Sequence, residues 1–140
     1  MMQSNPAPKV AILSSVHQAL DNRVFYREAR TLAQAGYDVT LIAVHDRDEM
    51  KDGIRIRALP RVPRSRRPLL WRAIARMAIE TDADIYQIHD PELLLVTPYL
   101  RRKTGRPTIY DIHEANADFI AVKDYLPLPV RRPLAGAFRR

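Results

Sequence analysis

The chain has no cysteine, which excludes disulfides, thiolate metal ligands and thiolate nucleophiles and mildly favours a reducing compartment. It lacks an apolar core behind a basic start: the opening "MMQSNPAPK" is polar and turn-rich, unlike a signal peptide. No apolar run approaches the roughly 20 residues that a membrane-spanning helix needs. These absences predict a cytoplasmic protein. The dinucleotide fingerprint GxGxxG is missing, and so are the phosphate loop GxxxxGK[ST] and the nucleophile elbow GxSxG; "SSVHQALDNR", after the first apolar run, has no glycine at all. Nicotinamide, flavin and serine-hydrolase chemistry are therefore not expected. Aromatic residues make up only 7%, and no helix-turn-helix, RRM or KH signature is present, so nucleic acid is not an expected partner.

What is present is a globular composition of 140 residues, 46% hydrophobic, which is enough for one domain with a real core. The 23 basic residues outnumber the 16 acidic ones, for a net charge of +7 that favours anionic partners without choosing among them.

Val10–Ser14 is a short apolar run, the pattern of a strand covered on both faces. From Asn22 to Ala35 the period becomes helical: Phe25, Ala29, Leu32 and Ala33 share one side, Asp21 or Asn22 suits the N-cap, and Gly36 suits the stop. Val39–Val44 reads as a second strand. Ile54–Leu59, "IRIRAL", alternates like an edge strand. With only about nine residues between it and the previous strand, it is expected to pair antiparallel. "PRVPRSRRP" is a basic loop, Leu69 to about Thr81 a helix, Ile85–Ile88 a strand, Pro91–Arg102 a helix and Thr108–Ile112 a strand, with a further helix starting near Pro129. The alternation predicts a Rossmann-like α/β fold: an open, mostly parallel sheet with helices on both faces.

All four histidines, His17, His45, His89 and His113, follow a predicted strand at once or within about three residues. In an open parallel sheet those strand ends share the edge where ligands bind, so the four imidazoles are expected at one rim. Asp90 precedes Pro91 and Glu92, the pattern of an N-cap, with ligand contact as a second duty. Glu114 favours the positive end of a following turn. Asp46, in "HDRDEMKDG", reads as part of a solvated loop. None of the compact metal-ligand spacings, such as His-x-x-x-His, occurs, so no metal is expected. Arg23 opposes the helix dipole in a first turn; it either pairs with Asp21 or holds an anion against the free N–H groups there.

"VAILSSVHQALDNRVFYREARTLAQAGYDVTLIAVHD", "DGIRIRALPR", "DADIYQIHDPELL" and "PTIYDIHE" together resemble the N-terminal domain of glycosyltransferase family 4, from about Val10 to Arg140. The resemblance implies the N-terminal half of a two-domain GT-B enzyme that is retaining and uses a nucleotide sugar as substrate, with no cofactor. It implies that this domain holds a glycan or lipid-linked acceptor, while a C-terminal domain absent from this chain, with a paired-glutamate motif, holds the donor. His113 matches the cleft histidine near the transferred sugar and is expected to support it by hydrogen bonding. His89 and Asp90 match residues lining the acceptor side, Glu114 beside His113 is expected to bind substrate with them, and His17 and Arg23 match the first strand–helix loop, which approaches the donor diphosphate. The implied chemistry is front-face displacement at the anomeric carbon without a metal. Residues 1–140 are thus expected to form one acceptor-side domain, inactive alone, and the apolar Leu134, Ala135 and Phe138 at the end suit a fragment of a longer chain.

Arg61, Arg64, Arg66, Arg67, Arg72 and Arg76, interleaved with Leu70 and Trp71, form a basic amphipathic segment. It suits either a helix packed on the sheet with a solvated face or peripheral contact with an anionic membrane. Competing readings of the whole chain are a related nucleotide-sugar epimerase domain, or a non-catalytic basic α/β module that binds nucleic acid or another anion.

Overall fold

The first apolar run becomes β1 (Lys9–Gln18), and it lies inside a six-stranded sheet with Ala11, Ile12 and Leu13 fully buried, as expected for a strand covered on both faces. The computed structural model describes residues 5–112 and 129; His113, Glu114 and the helix expected beyond Pro129 lie outside them. By its contacts the chain falls into two compact units, Met1–Tyr110 and Asp111–Arg140, and the elements below belong to the first.

After β1 come a π-helical segment, Asn22–Ala29, and α1 (Arg30–Gln34), then β2 (Asp38–Val44), β3 (Glu49–Lys51) and β4 (Ile54–Leu59). A 3-10 segment, Arg64–Leu70, runs into α2 (Trp71–Glu80) and β5 (Ile85–Ile88). A second, Pro91–Leu95, runs into α3 (Val96–Thr104) and β6 (Thr108–Tyr110). The strand order is β3-β4-β2-β1-β5-β6, with every pairing parallel except β3 with β4. This is the Rossmann-like α/β sheet that the alternation predicted.

Ile54–Leu59 corrects two expectations. It is parallel to β2, Leu41 facing Ile56, and it is not the edge. The return that normally needs a helix is made within the sheet plane: β3 runs back as the outer edge, and Asp52 (φ 51°) and Gly53 (φ 77°) turn the chain into β4. The loop expected around Asp46 therefore contains a strand.

Helices cover both faces. Val24, Phe25 and Ala29 pack with Ile12, Leu41, Ile54 and Ile56 on one side. Ile74, Ala75 and Ala78 of α2, with Leu93, Val96 and Leu100, pack with Leu13, Ile42, Tyr86 and Ile88 on the other. Asp21 caps the first helix, its carboxylate accepting from the N–H groups of Arg23 (2.8 Å) and Val24 (3.2 Å). Gly36 (φ 93°) follows the last turn, where a left-handed residue closes the helix.

Candidate functional site

The carboxyl ends of β1, β2, β4, β5 and β6 lie on one edge, because these five strands are mutually parallel. The strand order reverses at β1: the chain first builds outward through β2 and β4, then returns to place β5 on the other side of β1. The helix after β1 covers one face and α2, which leads to β5, covers the other, so a crevice opens beyond the ends of β1 and β5.

β1 is locally irregular there. Leu13 faces Ile42 and Gln18 faces Val44, so β1 spends four residues, 14–17, where β2 spends one, Ala43. A bulge of this kind bends a strand out of its ladder and re-aims side chains. The bulge is held from across the sheet by Asp90, which is 4% exposed. Asp90 Oδ2 accepts from the Ser15 N–H (2.7 Å), the Ser14 hydroxyl (2.9 Å) and, at longer range, the Val16 N–H (3.3 Å). The Ser15 hydroxyl donates to Glu92 Oε1 at 2.6 Å, and the Ser14 hydroxyl oxygen in turn accepts the His17 N–H at 3.0 Å.

This corrects the reading of Asp90 as a side-chain cap. It occupies the N-cap position, with Pro91 at the first helical position, yet its side chain makes no capping bond. A buried pair of serine donors offers the carboxylate a better-satisfied, water-free position than the exposed helix start.

The bulge places His17 at the strand-end edge. Its ring is about one-third exposed (34%), with Nδ1 at 4.0 Å from Asp21 Oδ2 and Nε2 at 3.9 Å from Asp90 Oδ1. Both separations exceed hydrogen-bond reach, so neither carboxylate saturates the imidazole. Burial alone would raise the Asp21 carboxyl, but the N–H groups of Arg23 and Val24 and the charges of His17 and Arg23 outweigh it and hold it below the ordinary value.

The other two described histidines also follow strands, but they do not join His17 at an open rim. His89 is at the end of β5 with its side chain fully buried (0%), Nε2 at 3.0 Å from Glu28 Oε2, and Gln87 Nε2 donates to the same carboxylate at 3.1 Å. His45 turns toward the sheet edge, Nε2 at 2.7 Å from Glu49 Oε1, and this contact chiefly holds the Glu49 carboxyl below its usual range. Topology brings the strand ends together; side-chain partners then separate the rings. Arg23 hydrogen-bonds Asp21 through its backbone N–H. Its guanidinium reaches Glu28 at 3.6 Å and so joins the His89 cluster.

Sequence reasoning passed over Ser14, Ser15 and Glu28. Two serines closing an otherwise apolar, doubly covered strand are a readable signal, since buried hydroxyls require acceptors. Glu28 carried no such signal, because its partner His89 is distant in sequence.

A family model described as Glycosyltransferase Family 4 matches residues 22–140. Among solved structures, sucrose-phosphate synthase from Thermosynechococcus elongatus is similar with a TM-score of 0.68 and 14% identity, over 94% of this chain and 40% of that one. At that identity the likeness is one of fold, and this chain spans less than half the length of that protein. No curated protein matches the sequence significantly. Family match and Rossmann-like architecture agree, and the chain belongs to glycosyltransferase family 4, as a glycosyltransferase domain.

Proposed function

We propose that this chain is the acceptor-side domain of a retaining glycosyltransferase that moves a hexosyl group from a nucleotide sugar to a glycan or lipid-linked acceptor in the cytoplasm. The observation that carries this reading is the half-open His17 imidazole, held by a strand bulge at the switch point between β1 and β5. An open parallel sheet binds its ligands there, and family membership supplies the class of chemistry. His17 contacts the substrates directly, and Asp90 keeps the bulge in place. Arg23, in the first turn of the helix that Asp21 caps, faces the donor diphosphate through its guanidinium. His113 supports the transferred sugar by hydrogen bonding, with Glu114 beside it. Displacement proceeds on one face of the anomeric carbon, and the departing diphosphate is stabilised by cations and helix dipoles, so that no metal or cofactor is required. A donor-binding domain completes the enzyme, and residues 1–140 alone are inactive.

The test is acceptor-dependent release of nucleoside diphosphate by the complete gene product, scanned over nucleotide sugars. Release is expected with one donor, and both His17→Ala and His113→Ala are expected to lower kcat/KM at least about tenfold, the loss of roughly one charge-assisted contact. Conversion of the sugar without any acceptor would instead identify an epimerase. Unchanged kcat/KM in both variants would remove these histidines from the site.

A further inference from the structure

The positive charge of this chain is concentrated in two segments. Residues 60–79 contain six arginines and residues 93–110 contain three arginines and a lysine, with no acidic residue in either; the rest of the chain is net acidic, with 13 basic against 16 acidic residues. Both segments lie on the same face of the sheet, because α2 and α3 pack side by side over one core. Arg61, Arg66, Arg67, Arg72, Arg101, Arg102 and Lys103 have no carboxylate partner among the described residues, whereas Arg76 meets Glu80 and Arg106 meets Asp84.

Apolar groups are exposed among these cations. Leu69 and Leu95 are each 76% exposed, at the ends of the two 3-10 segments that lead into α2 and α3. Trp71 and Tyr99 meet edge to face with ring centroids 6.0 Å apart. With Leu95, Pro98 and Arg102 they line a groove of about 320 Å³. Arg72 lies over the Trp71 ring at 5.4 Å and Lys103 over the Tyr99 ring at 5.9 Å, so each cation flanks an aromatic. The apolar side of α2 itself is spent on the core through Ile74, Ala75 and Ala78, and the helix cannot lie free on a bilayer. What remains outward is the groove, the two leucines and the cations.

We propose that this face docks on an anionic lipid surface, with the cations on the headgroups and Leu69, Leu95 and the Trp71–Tyr99 groove entering the acyl boundary. Charge complementarity selects the partner, and the exposed leucines separate it from nucleic acid. A phosphate backbone would attract the arginines but leaves two leucines in water, and the edge-to-face Trp71–Tyr99 pair, with Arg72 and Lys103 over the rings, leaves little of the open aromatic face that base stacking needs. The 3-10 segments follow the carboxyl ends of β4 and β5, so the docking face adjoins the edge on which the crevice opens. The inference deepens the lipid-linked branch of the proposed acceptor, but it is measured without any transfer reaction.

The experiment is co-sedimentation of the 140-residue chain with phosphatidylcholine vesicles, with and without phosphatidylglycerol, at low and high salt, variants being checked for folding by circular dichroism. Binding is expected only with phosphatidylglycerol and is expected to weaken as salt rises. Arg66→Ala and Arg102→Ala should each weaken it about fivefold, from the typical contribution of one cation near an anionic surface. Leu69→Ser with Leu95→Ser should weaken it at unchanged charge, and Arg27→Ala, on the helix of the opposite face, should leave it intact. Binding that ignores phosphatidylglycerol, or the leucine pair, overturns the proposal. So does binding to a DNA duplex but not to vesicles. Loss of transfer by the complete enzyme with vesicle binding preserved would count against the functional reading alone.

Discussion

Replacing Asp90 by alanine is expected to destabilise the chain by about 2–4 kcal/mol, since two buried donors lose a charged acceptor at about 1.5–3 kcal/mol each and the removed carboxylate returns part of that by no longer being desolvated. The two donors are the Ser15 N–H at 2.7 Å and the Ser14 hydroxyl at 2.9 Å. Both serines are buried, and water cannot replace the carboxylate. The contacts from Val16 N–H (3.3 Å) and the Ser15 hydroxyl (3.4 Å) are too long to add much, and that hydroxyl already has Glu92. Asp90→Asn keeps one acceptor oxygen in place and should cost about 1 kcal/mol, the difference between charged and neutral bonds. Asp90→Ser discriminates between roles. Serine is nearly as good as aspartate at an N-cap, so a capping Asp90 would tolerate it. A serine hydroxyl stops well short of β1, so the observed role predicts a loss close to that of alanine. Urea unfolding followed by circular dichroism measures all three on a domain whose total stability is of order 5–15 kcal/mol. A serine variant near wild type, with alanine losing about 1 kcal/mol as a lost cap would, would refute the assignment.

Two further outcomes follow from local geometry. The Asp21 carboxyl is lowered in the folded chain, so its contribution is complete above its unfolded value of 3.8 and is lost as pH falls through the lower folded value. Asp21→Asn keeps a capping oxygen and should flatten the urea midpoint against pH below about 4, and an unchanged profile would deny the cap its charge. Gly53→Ala places a Cβ where no atom lies within 4 Å but φ is +77°, so its cost of about 1 kcal/mol is purely backbone strain. Equal stability by urea unfolding would show that the turn relaxes.

Local patterns in the chain located most elements because each rests on nearby residues. The apolar run that became β1, the helical period after Asp21 with Gly36 behind it, and Ile85–Ile88 are all set by burial and capping within a few positions. The parallel β2–β4 pairing was missed because a spacing rule for helical crossovers was applied to a loop that returns as a strand. The turn signal was present, in Asp52-Gly53.

The candidate site divides in the same way. The sequence by itself determined that each histidine follows a strand and that the class of fold gathers parallel strand ends at one edge. Tertiary structure alone decided which of the three described imidazoles stays open. His45 found Glu49 four residues on, His89 found Glu28 from another element, and His17 was lifted clear by a bulge that Asp90 clamps across 75 residues of sequence. Strand and helix preferences act between near neighbours and can be read along the chain. The pairing of a buried charge depends on which distant groups the folded sheet brings within about 3 Å, and only the completed fold specifies that distance.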